Sequence, residues 1–319
     1  MRAGEMPDPE VGENDVLVEI HAAGVNPIDF KIRNGEFKLI EPHRFPLILG
    51  NEAAGVVVRV GSRVRRFKPG DEVYARPRKS RIGTFAEFIA IAEDDVAHKP
   101  ITLSMEEAAS IPLVGLTAWQ ALVERANLKK GQKVLIHAGS GGVGTFAIQL
   151  AKRFGSIVAT TASAASFDLV KRLGADTAID YRKDDFETIL ADYDVVLNSL
   201  DGETLHKSLR VLKPGGILIS ISGPPDPDFA KEIGASRILS LAMRLLSFRI
   251  RRKSKRRHVR YSFLLMRASG DQLREISSLI DLGIIRPCVD RVFPFESTKE
   301  AMAYVETGRA KGKVVVKVR

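Results

Sequence analysis

Val16, Val18 and Ile20 alternate with Leu17 and Glu19, which predicts a strand over residues 16–25. Residues 47–75 continue in short β-branched runs, Ala53-Ala54-Gly55-Val56-Val57-Val58 among them. Gly50, Gly61 and Pro69-Gly70 punctuate these runs, as expected of a compact β-rich domain. After about residue 104 the rhythm changes. Ser104 followed by Glu107 reads as a capping box that opens a helix. Strands are expected at 133–138, 157–161, 178–181, 194–198 and 216–221, with helices at 144–154 and 166–173. This alternation predicts a doubly wound parallel sheet covered on both faces, an α/β class. From about 284 the pattern is β-like again, with a helix at 298–306 and a last strand at 313–318.

The 319 residues allow two domains, and 45% apolar with 28% charged residues is ordinary for a globular chain. Cys288 is the single cysteine, so neither an intrachain disulfide nor a four-cysteine zinc site can form. No apolar run reaches membrane-spanning length and the N-terminus lacks the apolar stretch of a signal peptide, so a cytoplasmic protein is expected. The formal charge of +10 is local. Residues 233–270 hold eleven Lys or Arg and no Asp or Glu, leaving the rest of the chain near neutral. A nucleic-acid binder would spread such charge through its fold and interleave aromatics, so nucleic acid is not the expected partner.

The apolar run 133–138 leads directly into Gly139-Ser140-Gly141-Gly142-Val143-Gly144 and then an amphipathic helix. A G-x-G-x-x-G loop between strand and helix permits close backbone approach to a pyrophosphate, which the helix N-terminus attracts. The next strand ends near Ser163, and no acid occurs from Gly144 through Phe167. An NAD site usually places a carboxylate there for the ribose 2′-hydroxyl. Its absence favours a 2′-phosphate held by Ser163, Tyr181 and Arg182, and therefore NADPH. The plainer role of Tyr181 is that of a strand-end surface residue.

Several motifs then identify the chain as resembling the medium-chain dehydrogenase/reductase superfamily, in its zinc-independent quinone oxidoreductase branch. They are Ala23-Gly24-Val25-Asn26-Pro27-Ile28-Asp29, Leu49-Gly50-Asn51-Glu52-Ala53-Ala54-Gly55, Phe67-Lys68-Pro69-Gly70-Asp71-Glu72-Val73-Tyr74 and Gly83-Thr84-Phe85-Ala86-Glu87-Phe88. Leu116-Thr117-Ala118-Trp119, Leu173-Gly174-Ala175-Asp176 and Lys213-Pro214-Gly215-Gly216 complete the set. The resemblance implies a GroES-like β-rich catalytic domain, residues 1–108 and 284–319, around a Rossmann NADP-binding domain, residues 109–283. It also implies one further strand ahead of the Met6-Pro7 region in relatives, so an internal start is expected at Met1.

Zinc-dependent relatives bind their metal with Cys and His where this chain has Asn26 and Asn51. The histidines at 21, 43, 98, 137, 206 and 258 show no ligand spacing, so no metal is expected. A quinone or enone takes hydride without a Lewis acid, because the charge delocalises onto its oxygen. Asn26 is the first candidate to donate to that oxygen or to orient its surroundings, with Asp29 and Lys31 on the same segment. Their plainer roles are a turn at Asn26-Pro27 and a helix cap at Asp29. The resemblance places Thr117 near the nicotinamide; its plainer role is helix packing. It also implies cofactor contacts from Asn198, Ser222, Gly223, Phe263 and Leu265, and from Arg309, Ala310 and Lys311 in a loop closing on NADPH. Arg309 and Lys311 read otherwise as solvated charges.

Leu239, Met243, Leu246 and Ile250 recur at helical spacing ahead of a basic run. Three readings fit residues 236–260: a packed helix followed by a solvated loop, a basic amphipathic helix on an anionic membrane, or a field that steers anionic ligands. The expected activity is NADPH-dependent, zinc-independent reduction of quinones or α,β-unsaturated carbonyls, with one-electron quinone chemistry also open. The alternative is a nonenzymatic NADPH-binding protein held at a membrane or partner by 236–260. A monomer and a homodimer fit the sequence equally.

Overall fold

A computed structural model of the chain describes residues 2, 4–36 and 46–319, and His43 lies outside them. Two compact units emerge, Met1–Leu116 with Arg267–Arg319, and Thr117–Met266.

In the first unit the alternating segment forms the strand Asp15–Val25, which pairs with three others. The antiparallel neighbour Ala53–Val60 pairs with it from Val16 to Ala23, and Phe88–Ala92 pairs antiparallel with its first part, Asp15 to Glu19. The C-terminal strand Lys313–Lys317 pairs antiparallel with its end, setting Val25 opposite Val314. Val16, Val18, Ile20, Val57, Ile89 and Ile91 fill one apolar cluster. Val25, Ile32, Leu49, Met302, Val314 and Val316 fill a second. The Ser104 box forms as expected. Ser104 Oγ accepts from the Glu107 N–H at 3.2 Å and the Glu107 carboxylate accepts from the Ser104 N–H at 3.0 Å, opening the helix Met105–Ala109.

The expected boundary at 283/284 is displaced to 266/267. The helix Gly270–Asp281 belongs to the first unit because Tyr74 donates to the Leu273 carbonyl at 2.6 Å and Ser277 to the His98 carbonyl at 3.0 Å. Gly270 lies so close to the strand Val96–His98 that an added Cβ would stand 2.2 Å from the Val96 carbonyl oxygen. The other boundary falls inside the helix Pro112–Trp119 instead of at 108/109.

The second unit is built on six parallel strands. Counting from Lys133–Ile136 as the first, their spatial order is 3-2-1-4-5-6, the doubly wound nucleotide-binding order. The strand after Ile157–Ala162 is Thr177–Asp180, so Tyr181 stands just beyond it in a turn. The glycine-loop helix spans Gly142–Arg153, beginning two residues earlier than its apolar pattern suggested.

Residues 236–260 differ most from expectation. The helix Arg237–Leu246 ends at Ser247, and the basic run forms a second helix, Phe248–Arg256, where a loop was one reading. Ser247 and Ser254 donate to the carbonyls four residues back, both at 2.7 Å, and Ile250 and Ser254 are buried. The break also shifts the expected stripe. Met243 and Ile250 are buried, whereas Leu246 is exposed. No helix among the described residues is long and apolar enough to cross a membrane.

Candidate functional site

In the first unit Asn26 follows the strand Asp15–Val25 and caps the helix Pro27–Arg33. Register brings Lys313, just before Val314, to its side. The Lys313 ammonium donates to Asn26 Oδ1 at 2.5 Å, to Glu52 Oε1 at 2.6 Å and to the Val25 carbonyl at 3.1 Å. Asn26 Nδ2 donates to Glu52 Oε1 at 2.7 Å, and the Leu113 N–H donates to Glu52 Oε2 at 2.7 Å. Asn51 Nδ2 donates to Asp29 Oδ1, while the Asn26 N–H donates to Asp29 Oδ2, both at 2.7 Å. All five side chains are buried.

This arrangement corrects the direct role expected for Asn26. Its amide is buried and committed to Glu52 and Lys313, so what it retains is the orienting part of that expectation. Asp29 likewise turns inward, as the cap of its helix. Lys31 is half-buried on that helix, and Thr117 is buried in the second unit. Glu52 and Lys313 were not singled out as site residues. The available signal was the lysine opening a strand whose next three residues are valine.

Zinc does not fit the residues present. The two amides offer poor ligands. Moreover, the position beside Glu52 is already held by the Lys313 ammonium, which supplies the positive charge that a buried carboxylate requires. Cys288 meets the same region through its backbone carbonyl, which accepts from the Lys313 N–H at 2.7 Å.

Burial pushes the Asp29 carboxyl up to about 6, against the opposing hydrogen bonds from Asn51 and Asn26. A carboxyl raised above its unfolded value contributes stability that is lost as pH rises through the folded value. Asp29→Asn does not titrate. Its stability relative to the wild type is therefore expected to increase between about pH 4 and pH 6. Denaturant titrations across that window check the slope, and a constant difference would place the titration elsewhere.

In the second unit the glycines form a cradle. A Cβ on Gly139 would stand 2.0 Å from Thr160 Oγ1, and one on Gly144 would stand 2.3 Å from the Ala138 carbonyl oxygen. The turn begins at Ala138, whose φ of 52° is unusual for a residue with a side chain. His137 anchors the turn through Thr161 Oγ1 at 3.1 Å and Ser208 Oγ at 2.9 Å. Burial pushes this imidazole down to about 3, so it is neutral. The N–H groups of Gly142, Val143 and Gly144 lie in the first helical turn, where no intrahelical acceptor exists.

Asn198 ends its strand fully buried. Its Oδ1 accepts from the Leu200 N–H and from Ser222 Oγ, leaving Nδ2 as a buried donor without a partner among the described residues. An open donor at the carboxyl end of the sheet, together with a loop that leaves no room for a Cβ at Gly139 or Gly144, fits a dinucleotide. Ser163 is half-buried beside Ser166, at 3.3 Å between hydroxyls. Strand pairing sets Ala162 opposite Asp180, so Ser163 and Tyr181 follow at the same sheet end. Tyr181 is exposed, with the Arg182 guanidinium 5.6 Å from its ring centre. Asp180 is buried and accepts from the Arg182 N–H.

The other expected cofactor contacts divide. Gly223 is closely packed against Tyr261 and Ser220. Leu265 is half-buried. The ring of Phe263 packs edge-on against Phe229, 4.9 Å between centroids, within the second unit. Arg309 and Lys311 are exposed in the first unit, and Ala310 packs on its second apolar cluster.

A β-rich unit assembled from both chain ends, joined to a 3-2-1-4-5-6 parallel sheet with a glycine cradle, defines a two-unit dinucleotide-dependent dehydrogenase or reductase. Residues 12–101 match the alcohol dehydrogenase GroES-like domain, and residues 173–316 match the zinc-binding dehydrogenase family. The chain is 37% identical to the NAD(P)H oxidoreductase RTN4IP1, mitochondrial, of Danio rerio, over 96% of this chain and 84% of that one. It is 36% identical to the NADPH-dependent alkenal/one oxidoreductase, chloroplastic, of Arabidopsis thaliana, over 97% and 73%. The quinone oxidoreductase structure from Coxiella burnetii superposes with a TM-score of 0.83 at 33% identity, covering 98% of this chain and 93% of that one. The chain belongs to the zinc-independent quinone oxidoreductase-like branch of the medium-chain dehydrogenase/reductase superfamily and is an oxidoreductase.

Proposed function

We propose that the chain is an NADPH-dependent reductase of quinones or α,β-unsaturated carbonyls. The observation that carries this reading is the Gly139–Gly144 cradle, where Gly139 and Gly144 have no room for a Cβ and the backbone can approach a pyrophosphate. Bound NADPH supplies the hydride, and its acceptor is an electron-poor conjugated carbonyl. The chain's own residues position and select. Gly142, Val143 and Gly144 offer backbone N–H groups to the phosphates, and Asn198 Nδ2 offers a fixed donor at the carboxyl end of the sheet. Ser163, Tyr181 and Arg182 receive the 2′-phosphate, with Arg309 and Lys311 as further cationic candidates. Asn26, held by Glu52 and Lys313, orients the segment carrying Asp29 and Lys31, and Thr117 is the candidate beside the nicotinamide. This set provides orientation and hydrogen bonding without a Lewis acid.

An NADPH-oxidation screen with matched quinones and alkenals, with products identified, tests the activity. NADPH binding without turnover on any acceptor would favour the nonenzymatic alternative. Ser163→Asp places a carboxylate against the 2′-phosphate. It is expected to erode a preference for NADPH over NADH of about 1–3 kcal/mol. Titration of both cofactors measures the change, and an unaltered preference would remove Ser163 from the pocket. A lone cysteine fits a reducing compartment, in keeping with the cytoplasm. The Danio and Arabidopsis relatives are named mitochondrial and chloroplastic, so cell fractionation distinguishes these compartments.

A further inference from the structure

The helix Arg237–Leu246 buries one side and leaves the other uncovered. Met243 is 1% exposed, whereas Ile238, Leu241 and Leu245 are 84%, 57% and 66% exposed. Spacing of three and four residues puts these three on one helical face. Arg237 and Arg244 border it, four and three residues from Leu241. Just beyond Ser247, Phe248 is also exposed. The helix Phe248–Arg256 then turns Ile250 and Ser254 inward and leaves Arg249, Arg252, Lys253 and Lys255 exposed. No carboxylate lies anywhere in residues 233–270 to answer these charges.

Charge decides what can cover such a face. A second copy of the chain meeting it across a two-fold axis would set the same unanswered cations against each other. A nucleic acid would neutralise the cations and leave Ile238, Leu241 and Leu245 in water. An anionic bilayer satisfies both, because acyl chains receive the apolar stripe and headgroup phosphates receive the basic residues. Lys253, Arg256 and Arg257, together with His206 and the Glu187-paired Arg210, also border a cavity of ≈ 240 Å³, where the first three suit a headgroup phosphate.

We propose that this face docks the chain peripherally on an anionic phospholipid surface, with Ile238, Leu241 and Leu245 entering the boundary between headgroups and acyl chains. Sedimentation of the full chain with two vesicle populations tests it, one of phosphatidylcholine alone and one with about a third phosphatidylglycerol. Partition onto the anionic vesicles is expected to exceed that onto the neutral ones by at least about tenfold. Leu241→Ser with Leu245→Ser is expected to reduce that partition by about tenfold while NADPH oxidation is retained, which shows that the variant folds. Arg252→Glu with Lys253→Glu is expected to reduce it as strongly. Equal partition onto both vesicles, or none, overturns the proposal. So does anionic binding that the leucine changes leave intact, which would be surface adsorption alone. A stable dimer dissociated by the leucine changes, or RNA binding that they do not alter, would assign the face to that partner instead.

Discussion

Lys313→Met is expected to destabilise the first unit by about 3–5 kcal/mol, the range for removing one member of a buried ion pair. Lys313 and Glu52 are both buried, and their charged atoms lie 2.6 Å apart. Without the ammonium, the Glu52 carboxylate keeps two hydrogen bonds, from the Asn26 amide and the Leu113 N–H. These hydrogen bonds do not replace a full charge in an apolar surround. The Asn26 and Val25 oxygens lose a donor in the same step. Adding Glu52→Gln removes the stranded carboxylate, so the double variant should recover most of the loss. Denaturant titration followed by circular dichroism measures all three proteins. Equal stability of Lys313→Met and wild type would show that the pair is not what closes this site.

Gly144→Val is expected to lower NADPH affinity by about 10- to 100-fold. This corresponds to roughly 1–3 kcal/mol of overpacking at the pyrophosphate cradle. The added Cβ would stand 2.3 Å from the Ala138 carbonyl oxygen and 2.6 Å from Gly139 Cα. Both are backbone atoms, so no side chain can swing away. The loop must open, and the helix N-terminus moves from the phosphates it would receive. Gly202→Ala is the control, because nothing lies within 4 Å of its added Cβ. Fluorescence titration with NADPH measures affinity, and the thermal shift on adding NADPH gives a second reading. Wild-type affinity in Gly144→Val would remove the cradle from the proposed function.

The parts of this protein that were legible in the sequence are those set by neighbours in the chain. The Ser104 box, the alternation through Val16, Val18 and Ile20, and the turn at Gly139–Gly144 each depend on residues a few positions apart. Local sterics and hydrogen bonding therefore determine them. The second unit followed from the strand–helix rhythm for the same reason.

Tertiary structure decided the rest. Glu52 and Lys313 are 261 residues apart, and they meet because the first and last strands pair with Val25 opposite Val314. No local pattern contains that register. The same pairing turned Asn26 from an expected donor into an oriented, buried amide. The helix Gly270–Asp281 has an apolar side in its sequence, but periodicity does not say which sheet covers it. In the helix Arg237–Leu246, spacing shows that apolar residues share faces. Only packing determines that Met243 is covered while Ile238, Leu241 and Leu245 are left in solvent, because burial depends on what the rest of the chain brings alongside.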